Sequence, residues 1–203
     1  MKSNSRLLHS AAFVFLIGGS LASTYAAAAD ATGSVTGQVV GSPKQRANVV
    51  VYLDKVTGSF RPPARPVTID QKGMKFVPHV LAVQKGATVL FTNHDNVRHN
   101  IFTPDGDKYN LGTWGMGESK PHTFTATGIY HQLCNVHPEM GGVVVVLDNP
   151  FFAVTGEDGK FEIPNVPPGK YTLKTWSEKL PETSREITVA ASAPTTVALK
   201  VGK

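Results

Sequence analysis

A single cysteine, Cys134, stands in 203 residues, so no disulfide can close within the chain and the core alone must hold the fold. Charge is also sparse: Asp, Glu, Lys and Arg make up 17% of the residues, against roughly 25% in ordinary globular domains. Setting aside Lys2 and Arg6, the balance is about +3 with the basic residues scattered. No basic run is left to suggest a nucleic-acid partner. There is no apolar run long enough to span a bilayer, and no segment of useful length carries helical periodicity. The 41% of hydrophobic residues suffices for one domain or two small ones.

The start of the chain reads as an export signal. Lys2 and Arg6 provide a positive start, Ala11 to Ala22 a short apolar core, and Tyr25-Ala26-Ala27-Ala28-Ala29 the small residues that a signal peptidase accepts. On this reading residues 1–29 are a signal peptide, the mature chain begins near Asp30, and no transmembrane anchor survives cleavage. A periplasmic or secreted location follows. A lone thiol in that compartment is a liability unless something occupies or buries it, and composition leaves metal ligation and inert burial both open.

Beyond the leader the pattern is one of strands. Val35 to Val40 and Asn48 to Leu53 are β-branched runs separated by the turn composition Gly41-Ser42-Pro43, and Phe60-Arg61-Pro62-Pro63-Ala64-Arg65-Pro66 is too rich in proline for a central strand and marks a boundary. Val80 to Thr92 reads as two strands joined at Lys85-Gly86, followed by Asn93 to Phe102, a polar loop running back into apolar residues. Strand alternation places Tyr130, Gln132 and Cys134 on one face and His131 and Leu133 on the other. Val143 to Leu147 has no polar interruption, which predicts a strand buried on both sides. The expectation is an all-β fold, an antiparallel sandwich or barrel.

Chemistry concentrates in Cys134-Asn135-Val136-His137-Pro138-Glu139-Met140. Thiolate, imidazole and thioether form a soft ligand set suited to copper, whereas calcium or magnesium would require oxygen. A second imidazole comes from His99. With His99-Asn100 on a mid-chain loop, Cys134, His137 and Met140 on one late loop, the approach Gly128-x-Tyr130-x-x-x-Cys134, and Phe76-x-Pro78 before a strand ending at Gly86, the segment resembles the cupredoxins, small blue-copper proteins with a Greek-key sandwich. The C-x2-H-x2-M spacing is similar to the short loop of the amicyanin branch and two residues shorter than that of the plastocyanin branch.

The resemblance implies copper as cofactor, ligated by His99, Cys134, His137 and an axial Met140. It implies a redox protein partner such as a c-type cytochrome or a periplasmic dehydrogenase, approached through the edge of His137. Asn100 is the candidate to tie the His99 loop to the Cys134 loop and to point its N–H at the thiolate, and Pro138 stiffens the short loop. His79, His94, His122 and His131 read as exposed or edge residues. Met116, in a Gly-rich turn, reads as loop packing.

The segment after Asp148 is another module. Val154 to Trp176 reads as hairpins turning at Asp158-Gly159 and Pro168-Gly169, and it resembles the carboxypeptidase regulatory-like domain, a transthyretin-like sandwich of seven strands. That family's two opening strands appear here far upstream, at Val35 to Val40 and Asn48 to Leu53. The expected organisation is a cupredoxin at residues 67–148 inserted into a sandwich made of residues 30–66 and 149–203. Glu157, Glu162 and Glu178 of the second module read as solvated faces.

Three functions fit these residues: a one-electron carrier, a copper delivery or storage protein, and an adhesion or carbohydrate-contacting sandwich with a non-redox metal site. Turnover of a substrate is not expected, since no general base stands beside a nucleophile and four protein ligands leave the metal no open position.

Overall fold

The computed structural model of the chain describes residues 31–201, so the signal peptide read at residues 1–29 lies outside the described residues. In chain order these form β1 (Gly33–Val40), α1 (Pro43–Arg46), β2 (Val50–Asp54), β3 (Val67–Gln71), β4 (Phe76–Val77), β5 (Val80–Gln84), β6 (Thr88–Asn93), β7 (His99–Thr103), β8 (Tyr109–Trp114), β9 (Ser119–Thr123), β10 (Gly128–Leu133), β11 (Gly141–Leu147), β12 (Phe152–Val154), β13 (Lys160–Val166), β14 (Gly169–Trp176), β15 (Thr183–Val189) and β16 (Pro194–Lys200). The fold is all-β apart from the four residues of α1, which stand where the sequence reads as a plain turn. Proline in the first turn and a reciprocal capping box between Ser42 and Gln45 explain that helix.

Four sheets result, ordered β4-β3-β6-β9, β5-β11-β10-β7-β8, β12-β2-β14-β15 and β13-β1-β16. The first two enclose one core, built on Phe91, Ile101, Trp114, Phe124, Cys134 and Met140. The last two enclose another, built on Val51, Leu53, Phe161, Ile163 and Leu173. A third apolar cluster joins the sandwiches: Val50, Val80, Ala82, Val143 and Val145, flanked by Tyr52, Phe152 and Trp176. The sheets therefore stack four deep, with β11 and β2 in the two inner layers.

This stacking accounts for the valine runs. Along β11, Val144 and Val146 face the first core while Val143 and Val145 face the seam between sandwiches. Along β2, Val51 and Leu53 point into their own core and Val50 and Tyr52 into the seam. Such a strand has no solvent side, so nothing favours a polar residue at alternate positions. Each fully buried valine contributes about 1.5–3 kcal/mol relative to exposure.

Two expectations need correction. Three of the four sheets are mixed rather than antiparallel, because β1 pairs with β16, β3 with β6 and β5 with β11 in parallel, while β12-β2-β14-β15 is antiparallel throughout. The turns at Asp158-Gly159 and Pro168-Gly169 are not hairpins, because β12 and β14 belong to one sheet and β13 to the other. Both turns carry the chain across the core, and a tight turn has the same composition whether its strands pair or separate. Strand β2 pairs with β14, Leu53 opposite Leu173 and Val50 opposite Trp176.

Candidate metal centre

Two chain segments meet at one end of the first sandwich: the start of β7 and the loop from Cys134 to Met140 that joins β10 to β11. One ligand atom from each of His99, Cys134 and His137 lies within 4.8 Å of the others. His99 is fully buried and Cys134 is 4% exposed, while His137 is half-buried and gives the cluster its opening toward solvent. Met140 ends the loop, 1% exposed, and packs in the same core cluster as Cys134. Its N–H donates to the His137 carbonyl at 3.0 Å, folding the loop back on itself.

Hydrogen bonds orient the His99 ring and reach the Cys134 sulfur. His99 Nε2 lies 2.9 Å from Asp95 Oδ2, so Nε2–H donates to the carboxylate and the lone pair of the neutral ring stays on Nδ1. That Nδ1 faces His137 Nδ1 at 3.0 Å. Asp95 is itself anchored, accepting the N–H groups of Gly73 at 2.6 Å and Met74 at 2.9 Å. Burial alone would push the Asp95 carboxyl up, but the Met74 and Gly73 N–H groups and the His99 ring hold it below the ordinary aspartate value.

Asn100 has several partners. Its backbone N–H points at Cys134 Sγ at 3.4 Å, and its side-chain oxygen accepts the Asn135 N–H at 3.3 Å. Its amide nitrogen donates to Asn110 Oδ1 and to the Gly112 carbonyl, each at 2.8 Å. One asparagine thus bridges β7, β8 and the cysteine loop. Pro138 stands exposed on that loop. Deeper in, Gln132 is fully buried, and its side-chain oxygen accepts the Tyr109 hydroxyl, whose ionisation burial pushes upward.

The donor set fits a copper ion. Two imidazole nitrogens and a sulfur converge with no carboxylate oxygen among them, which excludes the hard-cation pattern. Two Nδ1 lone pairs held 3.0 Å apart repel unless a proton or a cation lies between them.

The other histidines among the described residues stay away from this cluster. His94 pairs with Asp70 at 2.7 Å and His131 with Asp105 at 2.8 Å, both on the surface. His122 stacks on Tyr109, ring centroids 3.8 Å apart. His79 contacts Glu178 at 2.6 Å, so Glu178 does not belong to a merely solvated face. Met116 is 62% exposed and does not pack in its turn, contrary to expectation. The Gly117 N–H ties the turn to the Asn93 carbonyl at 2.8 Å, and the Met116 side chain is left outside it. The partner that sequence reading missed is Asp95. Its only signal was its place four residues before His99 in a loop that reads as generically polar.

Comparison with known proteins adds an independent line. Residues 64–147 match the family described as copper binding proteins, plastocyanin/azurin family, and residues 140–197 match polysaccharide lyase family 4, domain II. Taken with the two-sheet core and the convergence of His99, Cys134 and His137, this makes the central part of the chain a cupredoxin domain, and copper its cofactor. The chain is similar to amicyanin of Paracoccus versutus, 26% identical over 102 residues that cover 48% of this chain and 77% of that protein.

Among solved structures, the copper-containing nitrite reductase of Thermus scotoductus SA-01 is 31% identical with a TM-score of 0.40, over 45% of this chain and only 24% of that one. A purple cupredoxin from Nitrosopumilus maritimus is 28% identical with a TM-score of 0.38, over 40% of this chain and 99% of that one. Among the described residues no helix is long and apolar enough to cross a membrane.

Proposed function

We propose that the protein is an exported type 1 (blue) copper protein that carries single electrons between redox partners. The observation that carries this reading is the convergence of His99, Cys134 and His137 from two chain segments into one largely buried cluster. In this assignment His99 and His137 give nitrogens, Cys134 the thiolate and Met140 the axial sulfur. Bound there, copper supplies a one-electron couple. The chain's part is to hold its donors still: Asp95 locks the His99 ring, the Asn100 N–H points at the sulfur, and Pro138 stiffens the loop. The half-buried edge of His137 is the port for a redox protein such as a c-type cytochrome or a periplasmic dehydrogenase.

The leader read at residues 1–29 supports a periplasmic or secreted location, which N-terminal sequencing of the mature protein, expected to start near Asp30, will check. The pairing of β2 with β14 supports a cupredoxin at residues 67–148 inserted into a carboxypeptidase regulatory-like sandwich of residues 30–66 and 149–203. Adding Cu(II) to reduced apoprotein will give an intense visible band and narrow hyperfine splitting in the electron-paramagnetic spectrum, both lost in Cys134→Ala. A colourless wild-type complex overturns the proposal.

The match of residues 140–197 to a polysaccharide lyase domain supports a second reading, a carbohydrate-contacting sandwich. Equal polysaccharide binding by apoprotein and copper protein would favour it. Copper delivery is less well supported, since His99 and Cys134 are too enclosed for quick handover.

A further inference from the structure

We propose that the second sandwich positions the copper loop through His79, a positioning residue that links Glu178 to the point where the ligand loop ends. This rests on the reading of Cys134 to Met140 as the copper loop. His79 stands between β4 and β5 and holds the first residues of β11 in two ways. Its Nδ1–H donates to the Gly141 carbonyl at 3.0 Å, and its own carbonyl accepts the Val143 N–H at 2.8 Å. On its far side Nε2 lies 2.6 Å from Glu178 Oε2, on the segment that follows β14 in the other sandwich.

The two ring contacts require a particular state of the imidazole. A carbonyl and a carboxylate are both acceptors, so the ring satisfies both only with a proton on each nitrogen, and the Glu178 carboxylate balances the resulting charge. The other charged groups that face this cleft are Lys44 on α1, Glu157 in the turn before β13, and Lys179 beside Glu178.

What the contact holds is sensitive to displacement. Gly141 follows Met140 directly, so the carbonyl that His79 grips is one peptide from the axial-ligand candidate. The next residue has no slack: a Cβ on Gly142 would meet the His79 carbonyl oxygen and Phe76 Cβ, each at 3.1 Å. Beyond it Val143 and Val145 are packed in the seam while Val144 and Val146 are packed in the copper core. A shift of the second sandwich therefore reaches β11 both through the valines and through His79, and β11 begins where the ligand loop stops. Glu178 sets how firmly Met140 is held.

The test uses the full chain with Glu178→Ala and Glu178→Gln, changes on a partly exposed side chain, and Lys179→Ala as control. In wild-type and variant apoprotein, hydrogen exchange at the Val143 amide reads the clamp without copper. Exchange is expected to rise about tenfold in Glu178→Ala, the scale of one lost charge-assisted hydrogen bond. It should rise less in Glu178→Gln and not at all in Lys179→Ala. In the Cu(II) proteins, Glu178→Ala should bind copper yet change the ratio of the visible bands and the rhombicity of the electron-paramagnetic spectrum. Unchanged exchange and an unchanged spectrum in Glu178→Ala overturn the inference. A wild type that never turns blue overturns the copper reading instead, while the exchange comparison still reports on the clamp.

Discussion

Asp95 decides the tautomer of His99. Without its carboxylate at 2.9 Å nothing directs the ring proton to Nε2, and Nδ1 loses part of its basicity. Asp95→Ala is expected to weaken copper binding about 10–100-fold, measured by competition with a chromophoric chelator, with little loss of apoprotein secondary structure. Asp105 gives a pH signature elsewhere. It accepts the His131 backbone N–H at 2.7 Å and the His131 ring N–H at 2.8 Å. Burial would raise its carboxyl, but these bonds, the His131 charge and the Thr103 hydroxyl hold it below the ordinary 3.8. The folded value is the lower one, so its contribution is complete above 3.8 and is lost as pH falls through the folded value. Urea unfolding between neutral and acid pH should show Asp105→Asn less stable than wild type by about 0.5 kcal/mol at neutral pH, small because the carboxylate is a third exposed, and equal to it at the acid end. Residue types and order pointed to His99, Cys134 and His137, and the fold brings these three together. Asp95 stayed hidden because its anchors, Gly73 and Met74, arrive from a distant turn.

The two faces of strand β11 serve different neighbours. Val144→Ala leaves a void in the copper core and Val143→Ala one in the seam, and each is expected to cost about 2 kcal/mol in urea unfolding of the apoprotein. Val144 shares a core cluster with Cys134 and Met140, so its truncation should alter the visible spectrum of the copper form more than that of Val143. The unbroken valine run showed a doubly buried strand in advance. What it could not show was the identity of the two neighbours, because an apolar face is equally content against either sheet. The Asp158-Gly159 and Pro168-Gly169 turns make the same point. Their composition revealed that the chain reverses but not that the strands on either side join different sheets, which depends on where the remaining strands have gone.

For the whole molecule the seam is decisive. Val80, Ala82, Val143 and Val145 are all nearly buried there, so a fragment confined to residues 67–147 would present them to water as one apolar patch. That fragment is expected to self-associate in sedimentation experiments, while the intact chain should unfold in a single calorimetric transition that involves both sandwiches. Strand alternation, proline-rich boundaries and the order of histidine, cysteine, histidine and methionine were set by the amino-acid sequence alone, since each is a matter of local period or covalent spacing. Tertiary structure alone decided which strands pair in parallel, that Asp95 faces His99, and that His79 meets Glu178. His79 and Glu178 lie 99 residues apart and meet only where the two sandwiches stack, whereas Asp95 is four residues from His99 and is aimed at it by Gly73 and Met74, which arrive from a distant turn.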